Sequence, residues 1–202
     1  MTKDFTPADW DRAVRHGVLP GGYTSIMPVM DFQDMSDQEL SDIVAYIDSL
    51  PAKPAPERIR HFGPVGTVLV ATGKLVPDVY KVPDHFADHA KEAPPATPTV
   101  EYGKHLAGTC TGCHRQGFNG GPIPFGPPDW APASNLTPSP DGLAGGTFAD
   151  FQKAFQRGIK PDGTPMRLPM SEMLQYTPNW KDTEMRAIWA FLQTLPATPT
   201  GI

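Results

Sequence analysis

Proline divides this chain into short segments, and it constrains the fold more than any other feature of the sequence. The 202 residues include 25 prolines and 19 glycines, and the prolines cluster at 51–64, 94–98, 122–138 and 161–169. Because proline ends helices and cannot pair inside a sheet, only short elements joined by extended loops fit between these clusters. Apolar residues make up 39% of the chain, which is low for a core of aliphatic side chains alone. The sequence therefore predicts short helices whose core is filled in part by a group other than aliphatic side chains.

The charge and hydropathy of the chain argue against nucleic-acid binding and against a membrane span. It has 17 Lys and Arg against 22 Asp and Glu, a formal net charge of −5, and the two signs are interspersed. A protein that binds nucleic acid normally shows a basic surplus or stripe. The longest weakly polar stretch, 64–72, is far shorter than the roughly 20 apolar residues that span a bilayer. We therefore expect no nucleic-acid partner and no membrane span in this chain.

Both cysteines of the chain lie in one motif, Cys110-Thr111-Gly112-Cys113-His114. This Cys-x-x-Cys-His spacing is typical of c-type haem attachment, since two thiols on one turn can add across the two vinyl groups of a haem. The adjacent histidine is then placed under the iron as its proximal ligand. The motif predicts one haem c per chain, bound through Cys110, Cys113 and His114.

Three other chemistries use paired cysteines, and each lacks part of its expected pattern here. A thioredoxin-like redox pair needs a strand before the motif, whereas residues 100–108 have a helical pattern. A structural zinc site needs four ligands, usually from two paired motifs, and no second pair of cysteines exists. A blue-copper site uses one cysteine and leaves the second without a role. These readings remain open alternatives to haem attachment.

Two helical segments occur twice in the sequence. Residues 6–17 match 147–158 at an offset of 141 positions, and residues 36–51 match 181–196 at an offset of 145. Both segments of the second match end in Leu-Pro. The shared order and spacing indicate a duplicated domain. The counterpart of Cys110 in the first copy would fall about 30 residues before Met1. We therefore expect the chain to lack the front half of its first domain, together with the signal peptide of an exported protein.

With this motif and this repeat, the sequence resembles class I c-type cytochromes, and more closely the exported two-domain dihaem cytochromes c of bacteria. The resemblance implies an all-α fold in three parts: a partial cytochrome c-like domain without a haem motif at 1–51, a proline-rich linker at 52–99, and a complete haem domain at 100–202. The segments that carry the resemblance are 10–17, 27–28, 36–51, 102–107, 110–114, 120–122, 135–138, 151–158, 161–163 and the final helix.

The resemblance also implies a methionine as the sixth ligand of the iron, in the loop between the last two helices. Met27-Pro28 occupies that place in the first copy, and the two offsets carry it to a window of 168–172 in the second. Met170 falls inside this window and is the predicted axial ligand. Met173 is the alternative, and Met166 is a weaker one.

Members of this family carry electrons, which implies a carrier rather than an enzyme. The resemblance implies a redox partner such as a periplasmic dehydrogenase or a terminal oxidase, and a location in the periplasm or elsewhere outside the cytoplasm. A full-length protein of this kind could also carry a membrane anchor. The alternative function is a haem protein with an open sixth position, which binds ligands or acts as a peroxidase.

The sequence supports further expectations about packing and about single residues. Residues 100–108 should cross a helix at 183–195, with Gly103 and Ala107 facing Ile188 or Phe191. Without a haem, residues 1–51 should be held loosely. Side chains outside the motif carry smaller expectations. Asn135 and Trp130 could hydrogen-bond the haem propionates, and Asn135 also lies in a glycosylation sequon. His85 and His89 could form a pair on one helix face or belong to a solvated linker, and His16 should be a surface residue.

Overall fold

The chain is mostly helical in the parts that the structure describes. The computed structural model describes residues 2–25, 27–53, 63–123, 126–127 and 129–201. Within these ranges the only sheet has two short strands, so the prediction of an all-α fold is confirmed. The longest helix in the same ranges has 13 residues, and none is long and apolar enough to cross a bilayer.

The chain forms two compact units, Met1–Ala93 and Pro94–Ile202. The described residues of the first unit form three α-helices and one antiparallel hairpin, in the order α1 (Pro7–Arg15), β1 (Val18–Leu19), β2 (Tyr23–Thr24), α2 (Asp37–Ser49) and α3 (Pro64–Ala71). Short 3-10 turns lie at Val29–Asp31 and Asp78–Tyr80.

Helices α1 and α2 begin at capping boxes that can be read from the sequence. The Thr6 hydroxyl accepts a hydrogen bond from the Asp9 N–H, and the Asp9 carboxylate accepts one from the Thr6 N–H. Ser36 and Glu39 form the same reciprocal pair at α2. Such pairs satisfy amide donors that the first turn of a helix cannot pair internally.

The first unit has a small core and leaves one helix face uncovered. Its buried apolar side chains include Trp10, Val29 and Leu40. In α2, by contrast, the apolar residues Ile43, Tyr46 and Leu50 are 42%, 65% and 48% exposed.

The segment predicted as a linker, 52–99, differs in part from that expectation. The division between the units comes after Ala93, and the described residues 63–93 belong to the first unit. The reason lies at the start of α2, where the Asp37 N–H donates to the Ala90 carbonyl at 2.9 Å and the Gln38 N–H to the Lys91 carbonyl at 3.0 Å. The carbonyls of an extended segment make no hydrogen bonds within that segment, so they can accept hydrogen bonds from the first amides of the helix.

The described residues of the second unit form four α-helices, the first two joined by a short turn and the others by long loops. They are α4 (Val100–Ala107), α5 (Thr111–His114), α6 (Phe148–Arg157) and α7 (Asp182–Leu192), with 3-10 turns at Gly108–Cys110, Met170–Gln175 and Thr177–Asn179. The buried core of this unit is built from Ala107, Phe118, Ile188, Phe191 and Leu192.

Helices α4 and α7 pack directly on each other at Gly103. A Cβ atom at this position would collide with the Ala187 carbonyl and lie 2.9 Å from the Cβ of Phe191. Ala107, one turn later and fully buried, lies in the same cluster as Ile188 and Phe191. The predicted crossing of these two helices, with Gly103 and Ala107 at the contact, is confirmed.

Candidate functional site

The cysteine motif lies where α4 runs into α5. A 3-10 turn at Gly108–Cys110 connects the two helices, so Cys110, Cys113 and His114 lie within about one turn of a nearly continuous helical path. Cys110 is half-buried and packs against the core, whereas Cys113 is exposed. Arg115 then takes a φ of 66°, which ends the helix directly after the histidine.

The ring of His114 is fixed by one backbone carbonyl. Its side chain is buried, and its Nδ1 atom lies 2.8 Å from the carbonyl oxygen of Ser134. A carbonyl can only accept, so Nδ1 carries the proton and Nε2 carries the lone pair that a metal requires. Burial lowers the pKa of His114, while the bond to Ser134 opposes that shift. The imidazole is therefore held in its neutral, ligating form.

The segment that supplies the Ser134 carbonyl is itself held by short-range pairing. Gly121 and Ala133 exchange two backbone hydrogen bonds of 2.9 Å, and the Leu136 N–H donates to the Phe118 carbonyl at 2.8 Å. At Gly120, with a φ of 61°, a Cβ atom would collide with the Ala133 carbonyl. This close approach explains why the chain needs glycine there.

The same segment reaches the loop that contains the candidate methionines. The Ala131 N–H donates to the Leu168 carbonyl at 2.9 Å, three residues before Ser134 and two residues before Met170. Met170 begins the 3-10 turn Met170–Gln175 and is half-buried, whereas Met173 in that turn is 42% exposed. Residues 131–134 thus make hydrogen bonds both to His114 and to the methionine loop.

The residues at this site fit the group that the motif implies. Two thiols lie within one helical turn of a buried imidazole whose Nε2 carries a lone pair, and a thioether stands on a loop tied to the same segment. Apolar side chains that are only partly buried surround the core next to Cys110, as expected for a site that takes a large apolar ring: Leu106, Leu136, Leu143, Phe151, Trp180 and Leu195.

Asn135 has a different place from the one expected of a propionate ligand or a glycosylation site. It is 4% exposed, and its Nδ2 atom donates to the Ser139 hydroxyl at 3.0 Å and to the Thr198 carbonyl at 2.8 Å. Its Oδ1 atom accepts from the N–H and the hydroxyl of Thr137. The side chain therefore joins the loop after Ser134 to the C-terminal tail. Sequence reasoning missed this network, because no local pattern marks a contact between residues 63 positions apart.

Comparisons with known proteins agree with this geometry. The family model "Cytochrome c" matches residues 100–196. A curated relative named "Diheme cytochrome c-type" from Cereibacter sphaeroides is 26% identical over 209 aligned positions, which cover 96% of this chain and 67% of that protein. A second, named "Alcohol dehydrogenase (quinone), cytochrome c subunit", from Gluconobacter oxydans, is 31% identical over 114 positions, which cover 52% of this chain and 23% of that protein.

The family model covers α4 to α7, including the cysteine motif, the segment that holds His114 and the methionine loop. Cytochrome c homologues are electron carriers, so the expectation of a carrier rather than an enzyme is confirmed. Residues 100–196 of this chain therefore form a cytochrome c domain, and these matches support a class I c-type cytochrome, a class of electron-transfer haem proteins.

Proposed function

We propose that this chain carries one haem c, attached to Cys110 and Cys113 and ligated by His114 and Met170, and passes electrons from a periplasmic dehydrogenase towards the respiratory chain. The observation that carries the proposal is the hydrogen bond from His114 Nδ1 to Ser134 O, which directs a neutral Nε2 to act as the proximal ligand. One haem per chain follows from the cysteine count, because the chain has two cysteines and both lie in the motif.

When bound, the haem supplies a one-electron couple at its iron. The protein's own residues supply orientation, shielding and charge. Ser134 keeps the His114 ring in one tautomer, and the core next to Cys110 excludes water from one side. A thioether ligand from Met170 would favour the reduced iron and raise the potential. If His114 and Met170 both bind the iron, no position would be left for a substrate, as suits a carrier.

The dehydrogenase partner and the periplasmic location rest on the relatives. One of them is named as the cytochrome c subunit of a quinone-dependent alcohol dehydrogenase, and its match includes about half of this chain. Cytochromes c of this kind are exported in bacteria, which supports a place in the periplasm.

Residues 1–51, we propose, are part of a second cytochrome c-like domain. Its helices α1 and α2 correspond to α6 and α7, and Thr147 and Asp150 form the same capping box at α6 as Thr6 and Asp9 at α1, with hydroxyl–carboxylate distances of 2.7 Å in both. The alignment with the protein named as dihaem also extends over 96% of this chain and so includes the first unit.

The ligand assignment can be tested by comparing two methionines of one 3-10 turn. In the oxidised holoprotein, Met170→Ala should abolish the weak far-red charge-transfer band of thioether-ligated iron and lower the midpoint potential. Met173→Ala, the matched control at an exposed position, should leave both unchanged. The reverse pattern would identify Met173 as the ligand. Absence of the band in the unaltered protein, together with carbon monoxide binding to the reduced form, would instead indicate an open sixth position.

A further inference from the structure

Three histidines meet at the end of α1 in the first unit, outside the haem site. His16 follows the last residue of α1 and is 5% exposed, so the expectation that it lies at the surface is wrong. Its ring centroid lies 5.2 Å from that of His89 and 5.5 Å from that of His85. The segment 85–89 therefore packs its imidazoles against the first helix.

The ligand atoms of three residues converge in this cluster. The Nε2 atoms of His16 and His89 are 3.2 Å apart, and an Asp11 carboxylate oxygen lies 3.8 Å from His16 Nε2. All three ligand atoms lie within 4.8 Å of one another. Two nitrogens bound to one tetrahedral zinc at 2.0–2.1 Å stand roughly 3.3 Å apart. The His16–His89 separation therefore fits a shared metal ion as well as the hydrogen bond that joins the two rings.

Arg15 orients the carboxylate of this group. It is 4% exposed, and its Nε atom donates to Asp11 Oδ1 at 2.8 Å, while the 3.8 Å approach to His16 is made by the other oxygen, Oδ2. The remaining guanidinium nitrogens donate to the Met35 carbonyl and to the Asp37 carboxylate, both at 2.9 Å. A hydrogen bond that holds a carboxylate in this way is typical of the second shell around a metal. The two carboxylates and one guanidinium leave a net negative charge beside the histidines.

Backbone hydrogen bonds hold the opposite side of the cluster. Ala90 and Lys91, directly after His89, accept from the first two amides of α2. His85 Nε2 donates to the Val79 carbonyl at 2.9 Å, which leaves a lone pair on its Nδ1. The histidines are therefore positioned by α1, α2 and the 79–91 segment together.

The Nε2 atoms of His16 and His89 lie within hydrogen-bond distance of each other, but two other ring nitrogens of the cluster have no such partner in the described part of the chain. Among the described residues, neither the Nδ1 atom of His16 nor that of His85 has a hydrogen-bond partner, although both atoms are buried. Buried polar atoms of a core normally find partners.

We propose that Asp11, His16 and His89 form a site for a divalent transition-metal cation of the zinc class, with water in the remaining position. Two imidazoles and a carboxylate are a donor set that zinc uses in proteins. The cation would join the end of α1 to the segment before α2. It would thus tie together a unit whose own apolar core is small.

The test uses the haem-loaded full chain, so that His114 is occupied, after treatment with a chelator. Zinc chloride is titrated into this protein in an isothermal calorimeter. We expect one zinc per chain, and His89→Gln and His16→Gln should each weaken the affinity by more than about tenfold. The control is His105→Gln, which removes a half-buried histidine of α4 and should leave the affinity unchanged.

His89 is half-buried on an extended segment, so His89→Gln should keep the fold and decides the question if His16→Gln does not fold. Zinc should also raise the melting temperature of the unaltered chain but not that of His89→Gln. No saturable binding at one equivalent, or equal affinity in the unaltered chain and His89→Gln, would overturn the proposal. Neither outcome depends on the haem ligands, so the proposed electron-transfer function is tested separately.

Discussion

His114 and Ser134, 20 residues apart in sequence, are joined by a hydrogen bond of 2.8 Å from the imidazole Nδ1 to the backbone carbonyl. The candidate proximal ligand thus takes its orientation from a loop rather than from its own helix. Anything that loosens this loop should act on the haem site. Asn135, the next residue, joins the loop to the C-terminal tail, so it provides a way to test this dependence.

Replacement of Asn135 should destabilise the second unit. Asn135→Ala leaves the Thr137 N–H without its buried partner and removes one of the two hydrogen bonds to the Thr198 carbonyl, and we expect a loss of about 3 kcal/mol in the free energy of unfolding. Urea denaturation followed by circular dichroism measures it. The matched control is Asn119→Ala, which removes a more exposed bond to the Pro199 carbonyl and should cost about 1 kcal/mol or less. Equal losses in the two variants would contradict the role given to Asn135.

Two glycines with helical backbone angles test the contact between α4 and α7. Gly103→Ala places a methyl group against the Ala187 carbonyl, and we expect a loss of about 3 kcal/mol because backbone atoms cannot move aside as side chains can. Gly108→Ala meets nothing within 4 Å and should be neutral or slightly stabilising, since alanine favours helices. Thermal unfolding of both variants makes the comparison. A Gly103→Ala protein as stable as Gly108→Ala would show that the helices are not in close contact.

Asp141 should give the second unit part of its pH dependence. Hydrogen bonds from Thr200, followed by one from Ser139, hold the pKa of Asp141 well below its usual range. A lowered folded-state pKa means that the stabilisation is present in full above the unfolded value of 3.8 and is lost as the pH falls through the lower folded value. Asp141→Asn should therefore lower the urea midpoint at pH 7, and the difference from the unaltered protein should shrink at pH 2. A difference that is the same at both pH values would exclude this explanation.

Limited proteolysis should remove the first unit before the second. The first unit leaves Ile43, Tyr46 and Leu50 exposed on α2, whereas α4 and α7 share a continuous buried core. Brief digestion of the holoprotein should leave a haem-containing fragment that begins between residues 52 and 100. Mass spectrometry of the fragments identifies its start. First-unit fragments that persist as long as the haem-containing one would count against this order of stability.

The sequence predicted what depends on local pattern. The helix expected at 100–108 lies at Val100–Ala107, and the one expected at 183–195 lies at Asp182–Leu192, because capping residues and apolar spacing act over a few positions. Gly103 was identifiable as a contact residue because a glycine inside an amphipathic helix favours close approach. The cysteine motif likewise indicated haem from five consecutive residues.

Long-range polar contacts could not be predicted in this way. The bonds between Asn135 and Thr198 and between His16 and His89 join residues 63 and 73 positions apart. The spacing of apolar residues does not reveal such pairs, and the sequence around a single histidine does not show whether it is buried. The same limit explains why the segment 63–93 was expected to be a linker, since its contacts with α2 use backbone carbonyls, which every sequence has.

The central claim is that residues 110–114 hold one covalent haem, and intact-mass spectrometry under denaturing conditions tests it most directly. The chain is produced with a cytochrome c maturation system, alongside a Cys110→Ala, Cys113→Ala double variant as the control. We predict that the unaltered chain gains the mass of one haem that survives denaturation, and that the double variant gains none. A chain that remains at its polypeptide mass, or one that carries two haems, would contradict the account.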